Sequence, residues 1–449
     1  MKTPRLASLR PVFERALPLA ATLVLGCGNV VYEGTPVKTH EPAPFTRHFG
    51  GTLDQAVTAA AYDADGNVIL CGTSTGDADL GGGPKPGGSG TDLFVTKLAP
   101  DGATVFAQRY AGGTVSCGGL VVDATGDIYL TGSYMGQNLA LGDGLPGNET
   151  IPHVFVARLA PTGKARWAVQ VDPLMTHAYG GAIALRPDGE LVVAGIDDEG
   201  LFFLTLLPDG KVDSRVIAGQ MMMGWWPRAG VRALAIGPDG DLFVTGNYTF
   251  SASLGSMETN GVYSQGFLAR VRPDGQPLWA ESFGEEHVSH SNTGASVSLD
   301  PEGNLIVAGH QLTKPGQPGS PVQEQPFVQK RDPKTGEVLW QTVLGDATEG
   351  GLAAIDSKGD ILHVTWRNNE TDTLPSGTFV ASLRGSDGAL QKTVSVPEVP
   401  SAQVFAIGPN DEVLVAGTFV SAVETPDGTV ESEGSDDVMV VNLGEWQSP

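Results

Sequence analysis

A tight turn followed by an apolar run recurs seven times, and this repeat constrains the fold more than any other feature of the chain. The copies are separated by 51 to 63 residues, which suits a tandem unit of four short strands. They read DADGNVILCG at 63–72, DATGDIYLTG at 123–132, RPDGELVVAG at 186–195, GPDGDLFVTG at 237–246, DPEGNLIVAG at 300–309, DSKGDILHVT at 356–365 and GPNDEVLVAG at 408–417.

This pattern predicts an all-β chain, a seven-bladed β-propeller with four antiparallel strands per blade, spanning residues 45–449. The turn position is Gly in six copies and Asp411 in the seventh, as expected for a hairpin turn that needs a positive φ. The apolar run is unbroken, which favours a strand covered on both faces by neighbouring blades. The predicted blades are 51–110, 111–171, 172–218, 219–283, 284–344, 345–396 and 397–446.

The last unit lacks a fourth strand, and the N-terminal part of the chain supplies a match for it. Fourth strands elsewhere carry Trp167, Trp279 or Trp340, and the segment 279–284 reads WAESFG. Residues 45–50 read FTRHFG and align with that segment position for position. We therefore predict that residues 45–49 complete the last blade and close the ring, which would remove exposed sheet edges.

The N-terminus has the organisation of an export signal. Residues 1–15 are basic on balance, and the apolar stretch 16–26 is too short to span a bilayer, which needs about 20 residues. Residues 23–27 read LVLGC and resemble the bacterial lipobox, which implies cleavage after residue 26 and lipidation of Cys27. Residues 27–44 are Pro-rich and predict a flexible tether. Gly28 resembles the sorting signal of Gram-negative outer-membrane lipoproteins, so we expect a lipid-anchored protein of the bacterial cell envelope.

The repeat also resembles a known family. Its units are similar to the bacterial β-propeller repeat family (SBBP-like repeats), whose blades read roughly G-x-D-x-x-x-x-V-D-x-x-G-N-x-Y-V-T-G. The Gly-rich loop at 79–83 and the strand at 92–98 resemble the exported multi-copy members. The resemblance covers about residues 45–446 and implies the fold without an activity. Residues 332–340 resemble the blade motif of quinoprotein dehydrogenases and of the barrel-assembly scaffold lipoprotein, which implies a scaffold role.

Two cysteines of adjacent units are placed to form a disulfide. Cys71 ends the second strand of the first unit, and Cys117 begins the first strand of the second unit. An exported protein folds in an oxidising compartment, which favours a bridge. The alternative is a pair of buried, reduced thiols.

One face of the propeller is predicted to carry the binding site. The long connections all lie at the same end of the sheets, and function on rigid scaffolds concentrates in such loops. The candidate contact residues on this face are Met222, Trp225, Trp226, His287, His290 and His310. Alternatively, the two Trp rings pack near the central channel and the histidines are solvated, so we predict neither a metal nor a cofactor.

The formal net charge of −24 argues against nucleic acid as a partner. The sequence contains no nucleophile elbow, no HExxH motif and no phosphate-binding loop. We therefore expect a scaffold that binds an unknown protein or polysaccharide. Two alternatives stay open: a hydrolase or lyase with a site at the channel mouth, and an envelope assembly scaffold.

Overall fold

The chain is all-β in the part described by the computed structural model. Among these residues no helix is long and apolar enough to cross a membrane. The described residues are 24–25, 29–30, 43–88, 90–147, 151–171, 178–221, 230–249, 251–260, 264–283, 292–313, 323–344, 349–367 and 377–447. Cys27 and the signal sequence up to residue 23 lie outside them.

Most described strands belong to four-stranded antiparallel units, which we number one to seven in chain order and whose strands we call A to D. Units one to three are β4 (Gln55–Tyr62), β5 (Val68–Thr75), β8 (Thr91–Leu98), β9 (Thr104–Tyr110); β10 (Thr114–Val122), β11 (Ile128–Met135), β12 (His153–Leu159), β13 (Ala165–Val171); and β14 (Ala178–Leu185), β15 (Leu191–Asp197), β16 (Gly200–Leu206), β17 (Val212–Met221).

Units four to six are β18 (Gly230–Ile236), β19 (Leu242–Tyr248), β22 (Gln265–Val271), β23 (Pro277–Phe283); β24 (Thr293–Leu299), β25 (Leu305–Thr313), β26 (Gln323–Arg331), β27 (Val338–Val343); and β28 (Glu349–Ile355), β29 (Ile361–Arg367), β30 (Gly377–Leu383), β31 (Leu390–Val396). Unit seven is β32 (Ser401–Ile407), β33 (Glu412–Phe419), β36 (Asp437–Glu445) and β3 (Phe45–Gly51). The short strands are β1 (Val24–Leu25), β2 (Asn29–Val30), β6 (Ala78–Asp79), β7 (Pro84–Lys85), β20 (Ser251–Leu254), β21 (Met257–Asn260), β34 (Ala422–Thr425) and β35 (Gly428–Glu431).

The repeat turn joins strands A and B and has the backbone conformation that the sequence predicts. Gly66 has a φ of 77°, and its counterpart Asp411 in the seventh unit has a φ of 58°. Strand B is buried on both sides, since Val68, Ile69 and Leu70 are fully inaccessible. The apolar run thus forms the middle of each sheet, and the core lies between neighbouring units.

Every strand A carries a one-residue bulge at the same level, and strands A of successive units contact one another. The register shifts fall between Val57/Ala59, Cys117/Gly119, Gly180/Ala182, Val231/Ala233, Gly294/Ser296, Gly350/Leu352 and Ala402/Val404. A bulge increases local twist and turns one side chain out of the alternation. β32 of unit seven also contacts β4 of unit one.

Neighbouring units meet at a recurring contact, which we call the outer seam. The ring of Trp167 on strand D of unit two lies over Gly210 in the C–D turn of unit three, where a Cβ atom would come within 2.7 Å of it. Its Nε1 donates a hydrogen bond to Pro208 O at 3.2 Å in the same turn. The same arrangement joins Phe106 to Gly163, Trp279 to Gly336 and Trp340 to Gly388.

The N-terminal strand β3 completes unit seven, as the sequence predicts. Five residue pairs join it antiparallel to β36, from Phe45 opposite Asn442 to Phe49 opposite Val438. Phe45 then lies over Gly102 in the C–D turn of unit one, and Arg47 donates a hydrogen bond to Gly102 O at 2.7 Å. The contact between units seven and one is therefore the same outer seam that joins units one to two, two to three, four to five and five to six.

The predicted disulfide is present. Cys71 and Cys117 are bridged, with their Cα atoms 6.3 Å apart, and both are buried. The bridge joins strand B of unit one to strand A of unit two. Upstream of the units, β1 pairs with β2, and Leu25 lies opposite Ala235 of β18.

Candidate binding face

Antiparallel pairing places two kinds of connection at each end of every sheet. The A–B and C–D turns are short and lie at one end, which we call the turn face. The B–C connections and the D–A connections between units lie at the other end, which we call the long-loop face. The described connections on the long-loop face are folded structures rather than open loops.

Two B–C connections pair as strands with the preceding unit. In unit one, β6 pairs with β3 of unit seven, with Gly50 opposite Asp79. In unit four, β20 pairs with β17 of unit three, with Gln220 opposite Ser253. The B–C connection of unit two instead bonds to the D–A connection before it, since Ala140 N donates to Ala111 O at 2.8 Å. These backbone hydrogen bonds give the face a defined shape and tie each loop to two units.

A buried aspartate at the start of strand C, which we call the loop anchor, fastens three segments in unit one. Asp92 is 1% exposed. Its carboxylate accepts hydrogen bonds from Gly88 N at 3.0 Å in the B–C connection and from Gly112 N at 3.1 Å in the D–A connection. Arg109 on strand D adds an ion pair at 2.8 Å. A carboxylate can accept several bonds at once, so one side chain holds both loops.

Unit seven has the same loop anchor at the equivalent position. Asp437 is fully buried and accepts hydrogen bonds from Glu433 N at 2.9 Å and Gly51 N at 3.4 Å. His48 on strand D takes the place of Arg109, with Nε2 2.8 Å from the carboxylate. Unit three uses a variant in which Asp197, at the end of strand B, pairs with Arg215 of strand D. The loop anchor therefore supports loop geometry, and it is not free for catalysis.

The described part of the long-loop face is strongly acidic. Among the described B–C and D–A connections, Lys85 is the one lysine or arginine. Its Nζ donates a hydrogen bond to Ala107 O at 2.7 Å. The acids on these connections are Asp54, Asp77, Asp79, Asp143, Asp198, Glu199, Glu258, Glu398, Glu424, Asp427, Glu431, Glu433 and Asp436. Such a surface attracts cationic groups and repels anionic ones.

The acids of the A–B turns have a structural role. Asp63 accepts hydrogen bonds from Asp65 N and Asn67 N, and Lys97 of strand C pairs with it at 2.7 Å. Asp300 repeats this contact with Lys330 at 2.6 Å. Within the described ranges, no group of three or more His, Cys, Asp or Glu side chains could hold a metal ion.

Most of the predicted contact residues lie outside the described residues. This applies to Met222, Trp225, Trp226, His287 and His290. His310 is described, and it lies on β25 opposite Thr293 and Pro326 with its side chain partly exposed. The loop anchor was not predicted from the sequence. The sequence feature that marks it is an Asp directly before the apolar residues of strand C, in TDLFV at 91–95 and DDVMV at 436–440.

No family model and no curated protein sequence matches the chain. Solved structures do match it. They include a Bacteroides caccae protein of unknown function (14% identity, 68% of this chain and 90% of that one, TM-score 0.40). They also include Kuenenia stuttgartiensis hydrazine synthase (13%, 67% and 74%, 0.41) and the C-terminal WD40 domain of Sif2 (10%, 90% and 98%, 0.39).

Proposed function

We propose that this chain is an exported, lipid-anchored lipoprotein of the bacterial cell envelope that binds a protein or polysaccharide through its long-loop face. It would do so as a closed seven-bladed β-propeller. The observation that carries the proposal is the construction of that face, in which strand pairing and loop anchors fasten the long connections to a rigid frame. Pre-ordered loops lose little conformational entropy on binding, so such a surface is suited to recognition.

Ring closure is supported by the contacts around unit seven. β3 pairs with β36, β32 contacts β4, and Phe45 lies over Gly102 in the same way as the internal seam residues. A stack of units that stopped at the seventh would leave two apolar faces in water. The repetition of one seam contact between the last unit and the first is the expected consequence of a ring.

Export and anchoring are supported by two features of the chain. The Cys71–Cys117 disulfide suits an oxidising compartment. The lipobox ends at Cys27, whose thiol would carry the lipid, and cleavage there would remove β1. Because Phe45 begins β3 beside a C–D turn, the tether would attach at the turn face. The long-loop face would then point away from the membrane.

Lipidation is tested by expressing the full chain with radiolabelled palmitate in a Gram-negative host. The wild-type protein should incorporate the label and partition into detergent. The Cys27→Ser variant should be unlabelled and released from the membrane, whereas the Cys71→Ala/Cys117→Ala variant should keep the label. Equal labelling of the Cys27→Ser variant would overturn the anchoring proposal.

The binding face is tested by photo-crosslinking in the intact envelope. A photoreactive amino acid replaces Asp143 or Thr429 on the long-loop face and Lys334 on the turn face, all three exposed. Specific adducts with one partner are expected from the first two positions and not from Lys334. Adducts from Lys334 alone would assign binding to the turn face, and turnover of a glycan panel by the purified protein would favour a hydrolase or lyase.

A further inference from the structure

The contact between units five and six has the smallest apolar core of the described clusters. It contains six buried hydrophobic side chains, whereas the cluster between units four and five contains nine. Its members come from strands B and C of unit five and from strands A, B and C of unit six: Ile306, Ala308, Val328, Ala353, Ile361 and Leu383. A small core contributes less hydrophobic free energy, so this contact is expected to open more readily than the others.

His363 is buried in this contact. It lies on strand B of unit six between Ala353 and Ala381 of the adjacent strands. It is two residues from Ile361, so both side chains face the cluster. The imidazole is inaccessible to solvent, and neither ring nitrogen has a hydrogen-bond partner among the described residues.

An imidazole in this environment is disfavoured in its charged form. Burial lowers the pKa of His363 from 6.5 to about 3, and no charged neighbour contributes. The other titratable residues on the packed strands are His310 on β25; Glu324, Lys330 and Arg331 on β26; Glu349 on β28; and Arg367 on β29 itself, while β30 has none. Lys330 and Arg331 are paired with Asp300 and Glu281. Among the described side chains, no carboxylate is hydrogen-bonded to the imidazole to stabilise an imidazolium.

The aligned positions in the other units are apolar. They are Leu70, Leu130, Val193, Val244, Val307 and Val415. Packing of strand B therefore does not require a histidine. The outer part of the same contact is held independently, since Trp340 Nε1 donates to Gly385 O at 3.3 Å and Thr342 Oγ1 donates to Gly388 O at 2.6 Å.

We propose that the contact between units five and six is an acid-sensitive joint, in which protonation of His363 favours local opening of the inner strands while the outer seam holds. The sign follows from linkage: a base whose pKa is lower in the closed state takes up a proton on opening, so the closed state loses stability as pH falls below 6.5. This inference rests on the packing of two sheets and not on the proposed function.

The test is hydrogen exchange by mass spectrometry on the mature protein at pH 7 and pH 5, corrected for intrinsic exchange. Peptides covering 349–355 should show an opening equilibrium about 25-fold larger at pH 5, from pKa values of 6.5 open and about 3 closed. In His363→Val and His363→Leu, which copy the other units, this difference should fall below about threefold. Peptides covering 191–197, whose neighbouring strands β14 and β16 carry no histidine, report the general effect of acid on this acidic chain.

Either of two results would overturn the proposal. One is an equal pH response of 349–355 in the wild type and both variants. The other is a response in the wild type that is the same at 191–197. The converse variant, Val307→His, should extend the acid response to peptides covering 293–299, which pack against the aligned position in unit five.

Discussion

The Cys71–Cys117 disulfide allows one stability effect to be worked out in advance. The bridge closes a loop with a sequence separation of 46 residues. In the chain-entropy model, the bridge lowers the entropy of the unfolded state by about 2.1 + 1.5R ln 46 cal/mol/K. Multiplied by 298 K, this entropy corresponds to a free energy of about 4 kcal/mol. Replacing both residues by Ala should therefore lower the free energy of unfolding by up to about 4 kcal/mol.

The assay is urea unfolding of the wild type and of the Cys71→Ala/Cys117→Ala double variant, followed by tryptophan fluorescence and by circular dichroism. Coincident transitions in the two signals establish that the free energies can be compared. Wild-type protein reduced during unfolding serves as a control, because it loses the bridge but keeps both sulfur atoms. It should resemble the double variant. A loss below about 1 kcal/mol in both would refute the entropic reasoning, because the bridge would then restrict the unfolded chain far less than the model requires.

Three further predictions concern the seams, the loop anchor and the exposed ion pairs. Gly102→Ala should be more destabilising than Gly83→Ala by about 1–3 kcal/mol in urea unfolding. The two glycines have nearly the same φ, +80° and +83°, but only a Cβ at Gly102 would meet a ring, that of Phe45 at 2.7 Å. Equal losses would contradict the seam contact. Asp92→Ala should lower the free energy of unfolding by about 3–5 kcal/mol in the same assay, since it leaves Arg109 buried without its carboxylate. Adding Arg109→Met to Asp92→Ala should recover part of this loss. No recovery would show that the hydrogen bonds from the backbone to Asp92 dominate. Lys211→Ala removes the exposed pair with Asp209 and should leave the unfolding midpoint unchanged, and a clear shift would mean that exposed pairs on the turn face contribute to stability.

The sequence predicts the local structure well because the repeat applies the same physical constraints several times. The positive φ at Gly66, the buried apolar run at Val68–Leu70 and the pairing of β3 with β36 each follow from a pattern that recurs elsewhere in the chain. The disulfide was predictable because strand order places Cys71 and Cys117 at the same level of adjacent sheets.

The candidate site was less predictable, for a physical reason. Loop geometry depends on single contacts that do not repeat in every unit, such as Asp92 with Gly88 and Gly112. The sequence emphasises rare residues such as Trp225 and His287, whereas the described loops are fastened by common ones. Buried His363 is also inconspicuous in the sequence, since its environment is set by a neighbouring unit about 55 residues away.

We predict that residues 45–49 close the ring by pairing with the last unit. The direct measurement is disulfide crosslinking of Thr46→Cys with Val441→Cys, which lie opposite each other, in an exported Cys27→Ala background. We predict rapid intramolecular bridging on oxidation, and little bridging when Thr46→Cys is combined with a cysteine at Thr393, on β31 of unit six. Crosslinks that form only between molecules, or equally with both partner positions, would contradict closure by the N-terminal strand.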